Sequence, residues 1–158
     1  MNIILLSGGS GKRLWPLSND IRSKQFIKLF KDDNGNYESM VQRVYRQITT
    51  VNPMVKVTVA TSKNQVSVIK SQLGEKINIC VEPSRRDTFP AILLAAAYIH
   101  YELGIGVEEC IAVCPVDPYV DNDYYKCVGE LENLVEAGTA NLTLMGIKLL
   151  IPVINTAI

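Results

Sequence analysis

Apolar runs and amphipathic stripes take turns along almost the whole of this chain, and that alternation restricts the fold more than any other feature. "NIILLS" (2–7) is a continuous apolar run, the pattern of a strand buried on both faces. Residues 38–49 set Met40, Val41, Val44, Tyr45 and Ile48 on one helical stripe. "VKVTVAT" (55–61) reads as a strand from its β-branched content, and "NQVSVIKSQL" (64–73) as a helix stopped by Gly74. "INICVE" (77–82) is a third strand. Residues 87–104 form a long helix, with Asp87 or Thr88 as cap, Pro90 in the first turn and Gly104 at the close. "CIAVCPVD" (110–117), a helix over 121–138 and a fifth strand, "NLTLMGI" (141–147), complete the series. Strands joined through helices by short connections predict an α/β fold. It is a three-layer, Rossmann-like sandwich with a mostly parallel sheet covered on both faces.

In such a sheet, ligands bind beyond the carboxyl ends of the strands. The loops after Ser7, Glu82 and Asp117 should therefore meet at one edge. The first of them, "SGGSGKRLWPLS" (7–18), is rich in glycine and carries Lys12 and Arg13. Glycine admits φ > 0 and lets backbone N–H groups approach phosphate oxygens with no Cβ in the way. Two common phosphate loops do not fit. The P-loop needs Gly where Leu6 stands and Ser or Thr where Arg13 stands; the dinucleotide pattern begins at Gly9 and Gly11 but meets Leu14 in place of its third glycine. What remains is Gly-Gly-x-Gly-x-Arg-Leu-x-Pro-Leu, with Lys24 eleven residues after Arg13. Arg13 can grip two phosphate oxygens with its planar fork, and Lys24 supplies a point charge.

The overall charge agrees with a small anionic ligand rather than a polymer. With 16 basic and 16 acidic residues the chain is formally neutral, which gives no sign of nucleic-acid or membrane binding. Within the first thirty residues, however, Lys12, Arg13, Arg22, Lys24 and Lys28 face Asp20 alone. Its 158 residues suit one domain. Cys80, Cys110, Cys114 and Cys127 lack metal-type spacing and read as buried free thiols. No signal peptide is visible, and "FPAILLAAAYI" is short of the roughly 20 residues that span a bilayer. These features together predict a cytoplasmic protein.

"LLSGGSGKRLWPLSNDIRSKQFIKLF" resembles the opening signature of sugar-1-phosphate nucleotidylyltransferases, and its Leu-Trp-Pro-Leu-Ser and Lys-Gln-Phe portions resemble the mannose-1-phosphate guanylyltransferases in particular. "VEPSRRDTFPAILLAA" is similar to the second block of that family, "VCPVDPYV" to its third, and "LTLMGIK" to the strand that follows. The resemblance covers most of residues 2–148 and implies a nucleotide-diphospho-sugar transferase fold. It implies attack by mannose-1-phosphate on the α-phosphorus of GTP, with Mg²⁺ as cofactor, giving GDP-mannose and pyrophosphate. No general base is needed, because a phosphate monoester is already ionised at neutral pH. Arg13 would hold the triphosphate, Lys24 would stand between the two reacting phosphates, and Asp117 would bind the metal. The nucleotide would lie against Leu6, Gly8, Gly9, Ser10, Gly11, Lys12, Arg13, Glu82, Arg86 and Thr88.

Several of these positions have a plainer reading beside the functional one. Glu82 ends a strand before Pro83, where a carboxylate can accept guanine N1–H and the 2-amino group side by side; it can equally be a solvated strand-end glutamate. Asp117 can be a turn residue before Pro118. Asp87 and Thr88 can serve as helix caps, Trp15 as core, and His100 as a structural mid-helix residue. The sequence also departs from the family, with Lys12 where Thr is frequent, Ser23 where Pro precedes the lysine, Asp87 for Asn and Pro118 for His. After "LMGIK" the sugar-contacting segments and a second metal-binding Asp do not follow; the last residues, 149–158, read as an atypical apolar tail. Residues 1–148 are thus expected to form the nucleotide-binding part of such a domain. Two alternatives stay open: a catalytically incomplete nucleotide-sensing module, and the same chemistry with UTP, ATP or another hexose phosphate. Association with further copies of the chain is also left open.

Overall fold

The computed structural model describes residues 1–9, 18 and 23–147. Four of the five expected strands pair as a parallel sheet: β1 (Asn2–Leu6), β4 (Lys56–Ser62), β5 (Asn78–Glu82) and β6 (Ile111–Pro115). Their order across the sheet is β5-β4-β1-β6, so β1 is central. Leu6 lies in register with Ala60 on one side and Pro115 on the other, and Ser62 with Glu82. Every strand therefore ends at the same edge, which sets the loops after Leu6, Glu82 and Pro115 beside one another. This placement follows from parallel pairing alone.

Helices cover both faces of the sheet. On one face, α1 (Met40–Val51), α2 (Val66–Leu73) and α4 (Asn122–Glu136) bury Val41, Val44, Ile48, Ile69, Tyr125 and Val128 against Ile3, Leu5, Val57, Val59 and Cys114. On the other, α3 (Thr88–Tyr101) lays Ala95 and Ile99 over Ile4, Ala60 and Cys80. Alternate residues of β1 thus enter opposite cores, which is why its sequence is apolar without a break. α1 begins at a capping box in which the Ser39 hydroxyl accepts from Gln42 N and the Gln42 side chain accepts from Ser39 N. Gly74 ends α2 at φ 98°, a backbone conformation that disfavours any side chain.

Two expectations are corrected, and one pair of strands is added. Residues 141–147 do not form a strand: they join no sheet among the described residues, and Leu142, Leu144 and Ile147 are exposed while Met145 packs on the larger core. A groove of about 810 Å³ lies between 141–145 and the β6 side of the sheet, so this segment is held off the edge it would need for ladder hydrogen bonds. A small antiparallel pair, β2 (Lys28–Lys31) with β3 (Tyr37–Ser39), stands where no strand is legible. Its polar, three- and four-residue strands carry no alternation long enough to see. The thiols are all free, but only Cys80 and Cys114 are buried; Cys110 is half-buried and Cys127 exposed on α4. Among the described residues, no helix is long and apolar enough to cross a membrane.

Candidate active site

The Lys-Gln-Phe tripeptide forms a single 3-10 turn, Lys24–Phe26, with two buried residues and one exposed. Gln25 donates to the Ser7 carbonyl at 2.7 Å, and Phe26 enters the larger core. With its neighbours anchored, Lys24 projects outward, and its Nζ meets Asp117 Oδ2 at 3.1 Å. Both side chains are about half exposed, so water and ligands reach the pair. Asp117 follows buried Val116 just past the end of β6. The next turn is fastened to α1, where Arg43 Nη2 and Gln47 Nε2 donate to the Val120 carbonyl at 3.2 and 2.9 Å. The Arg43 guanidinium also lies 4.7 Å from the Tyr119 ring centre, which itself lies 5.5 Å from the ring of Phe30.

Behind Lys24 a buried polar network grips both ends of the glycine-rich loop. The Gly9 carbonyl accepts from Ser23 Oγ at 3.0 Å and from Gln65 Nε2 at 3.3 Å. Gln65 Nε2 also reaches Ser23 Oγ at 2.8 Å, while Gln65 Oε1 accepts from Thr61 Oγ1 at 2.7 Å. Gln65, Thr61 and Ser23 are all fully buried. A buried amide is costly unless bonded, and here both ends of the amide are satisfied. The result ties the end of β4 to the residues that open and close the loop.

Beside this network is a cleft of about 170 Å³ lined by Leu6, Gly8, Gly9, Ala60, Glu82, Arg85, Asp87, Thr88 and Ala91. Leu6, Ala60 and Ala91 supply an apolar floor, and Glu82, Arg85 and Asp87 supply charge of both signs. Neither Gly8 nor Gly9 has a left-handed φ, so conformational freedom is not what these two provide. A Cβ on Gly8 would stand 3.4 Å from Glu82 Oε1; bareness at this position leaves room beside the carboxylate. Asp87 does have φ 73° with ψ −171°, a region close to glycine-only. Its carboxylate accepts from Thr88 N at 2.9 Å and caps α3, in line with the capping role open to it in the sequence.

Of the expected site residues, Leu6, Gly8, Gly9, Glu82 and Thr88 share this one cleft, and Lys24 meets Asp117 at the same sheet edge. Arg86 does not line the cleft. It turns back along its own loop, with Nε donating to Ser84 Oγ at 3.3 Å, and Arg85 takes the inward place. Ser10, Gly11, Lys12 and Arg13 lie outside the described residues, as does Trp15. His100 is structural, its Nδ1 lying 2.7 Å from the Ile105 carbonyl beyond the end of α3. Sequence reasoning missed Arg85, Gln25, Thr61 and Gln65. The only available signal for Gln65 was a polar residue second in the stretch read as a helix, which ordinarily means solvent.

The family model described as nucleotidyl transferase matches residues 2–148. This chain belongs to the nucleotidyl transferase family. It is 32% identical over 149 residues to a mannose-1-phosphate guanylyltransferase of Escherichia coli, covering 92% of this chain and 31% of that protein. It is 34% identical over 123 residues to the alginate biosynthesis protein AlgA of Pseudomonas putida, covering 75% of this chain and 24% of that one. Among solved structures, one described as mannose-1-phosphate geranyltransferase from Thermus thermophilus superposes with a TM-score of 0.65 at 29% identity, over 86% of this chain and 37% of the other. The chain therefore spans about a quarter to a third of the curated relatives' length. The shared fold confirms the three-layer α/β architecture of a nucleotide-sugar transferase.

At this edge Asp117 presents an exposed carboxylate apart from Glu82 and Asp87, which line the cleft. Among the described residues, no group of three or more His, Cys, Asp or Glu side chains is placed to hold a metal ion. Mg²⁺ in general keeps several waters and takes one or two carboxylates together with substrate phosphates. Asp117 is about half exposed and, among the described residues, pairs with the Lys24 ammonium, so its carboxylate could be shared with such an ion.

Proposed function

We propose that this chain carries the nucleotide-binding face of a guanylyl transfer from GTP to mannose-1-phosphate, releasing pyrophosphate. The observation that carries the reading is the 3.1 Å pairing of Lys24 with Asp117 at the same sheet edge as the glycine-loop cleft. It brings a cation and a carboxylate from residues 93 positions apart to the point where a triphosphate leaving the cleft would pass. The names of the relatives support mannose-1-phosphate and the guanylyl group as reactants.

In this reading the base enters the cleft between Glu82 and the apolar floor. Glu82 accepts N1–H and the 2-amino group of guanine, a pair of donors that adenine and uracil do not present. Thr88 and the free N–H groups that open α3 face the sugar or phosphates, where the helix dipole favours an oxygen-rich, anionic group. Lys24 leaves Asp117 for the α-phosphate and stabilises the charge that builds there as the sugar phosphate oxygen attacks in line. Asp117, so released, would hold Mg²⁺, which when bound neutralises phosphate charge as a Lewis acid. Arg13, outside the described residues, is assigned the triphosphate by its place in the loop.

The deciding experiment is pyrophosphate release measured with GTP, Mg²⁺ and mannose-1-phosphate, together with a binding titration of GTP. Steady release abolished by Lys24→Ala supports transfer by this chain. GTP binding without release would instead favour the nucleotide-sensing alternative. No binding of any nucleoside triphosphate would overturn both.

A further inference from the structure

Arg85 is a cation with donors to spare. Its guanidinium carries five N–H donors, and among the described residues it makes no ion pair and a single long hydrogen bond, Nη2 to the Gly9 carbonyl at 3.4 Å. That contact reaches from the loop after β5 to the loop after β1, so the side chain crosses between the two walls of the cleft. Glu82 lines the same cleft, its Oε1 standing over Gly8, the neighbour of the residue Arg85 touches. One small cavity thus holds an acceptor-only group and a donor-only group at adjacent glycines, above an apolar floor of Leu6, Ala60 and Ala91 that can take the face of a ring.

Guanine has the complementary pair of edges on neighbouring sides of one ring system. Its N1–H and 2-amino group are donors; its O6 and N7 are acceptors, and an arginine fork meets those two together better than any other side chain does. Adenine fails at both. Its N6 amino group would face the guanidinium, donor against donor, and its bare N1 would face the carboxylate, acceptor against acceptor. We propose that Arg85 is a specificity-determining residue that reads the O6/N7 edge of guanine while Glu82 reads the N1/N2 edge. This deepens the nucleotide reading of the cleft and rests on it. Discrimination then comes from repulsion of the wrong base as well as attraction of the right one.

Arg85 is exposed, so its replacement leaves the fold intact. The test is calorimetric titration of the chain in Mg²⁺ with GTP, ATP, inosine triphosphate, which lacks the 2-amino group, and 7-deaza-GTP, in which N7 is a carbon. The unaltered chain should bind 7-deaza-GTP on the order of tenfold more weakly than GTP, the scale of one charge-assisted hydrogen bond. In Arg85→Ala, GTP should weaken by a similar factor and the GTP-to-7-deaza-GTP ratio should fall to about one. The GTP-to-inosine ratio, set by Glu82, should stay as it was. Arg85→Lys, which keeps the charge without the fork, should also lose the 7-deaza ratio. Equal binding of GTP and 7-deaza-GTP by the unaltered chain, or a ratio that survives Arg85→Ala, would overturn this assignment and leave the nucleotide site standing. Failure of every nucleotide to bind would overturn both.

Discussion

Lys24 Nζ, in the 3-10 turn Lys24–Phe26, and Asp117 Oδ2, just past the end of β6, stand 3.1 Å apart, each serving as the other's counter-ion. With both side chains about half exposed, the pair contributes only about 0–1 kcal/mol to stability. It is cheap to open, as a pair must be if nucleotide and metal are to separate it. Lys24→Ala should therefore leave the urea midpoint nearly unchanged while lowering pyrophosphate release by roughly 100-fold or more, the usual scale for loss of one preorganised charge at a reacting centre. Parallel loss of stability and activity would instead mark Lys24 as structural.

Gln65 makes the opposite prediction for stability. Gln65→Leu keeps the volume but strips partners from the Thr61 hydroxyl and from the Gly9 carbonyl and Ser23 hydroxyl that it joins. Each buried polar group left unpaired costs about 1–3 kcal/mol. A loss of roughly 2–4 kcal/mol is expected by chemical denaturation, together with weaker GTP binding, because both stems of the glycine loop are released. A variant as stable as the parent would mean that the network holds nothing.

At Asp87 the backbone is the strained partner. A non-glycine residue at φ 73° and ψ −171° costs on the order of 1–3 kcal/mol, whereas exchanging an aspartate cap for glycine costs a few tenths. Asp87→Gly should raise stability by about 1 kcal/mol. A thermal melt checks the sign, and a lowered melting temperature would show the cap outweighing the strain.

Burial pushes the Cys114 thiol up from its ordinary 9.0 to about 11. The folded chain thus retains a proton that the unfolded chain sheds between those values. Stability on this account is full below about pH 9 and falls as pH rises toward 11, by up to roughly 3 kcal/mol. Because other groups titrate in the same range, the readout is the difference in slope between the parent and Cys114→Ala, whose profile should be flatter. Identical slopes would contradict the burial of this thiol.

The four sheet strands and four helices were legible because burial on both faces of a strand, or one face of a helix, leaves long apolar patterns. Residues 141–147 misled because "LTLMGI" has the composition of a strand, while a strand also needs a neighbouring edge, and sequence carries no record of that. The pair of arginines after Ser84 shows the same limit at the site. Arg85 and Arg86 are chemically identical, and the sequence does not say which one the folded loop turns into the cleft. The motifs drew attention to Lys24 and Asp117, which the fold sets 3.1 Å apart; they did not draw it to Gln65, since a buried glutamine spells itself like an exposed one.

The central claim is that one nucleotide is held jointly by the glycine-loop cleft, Lys24 and Asp117. Titration of GTP into the chain with and without Mg²⁺, repeated on Lys24→Ala and Asp117→Asn, tests it most directly. A single site is expected, with an affinity that rises with Mg²⁺ in the parent, a weaker site in Lys24→Ala, and loss of the Mg²⁺ effect in Asp117→Asn. GTP affinity that ignores both substitutions and the metal would contradict it.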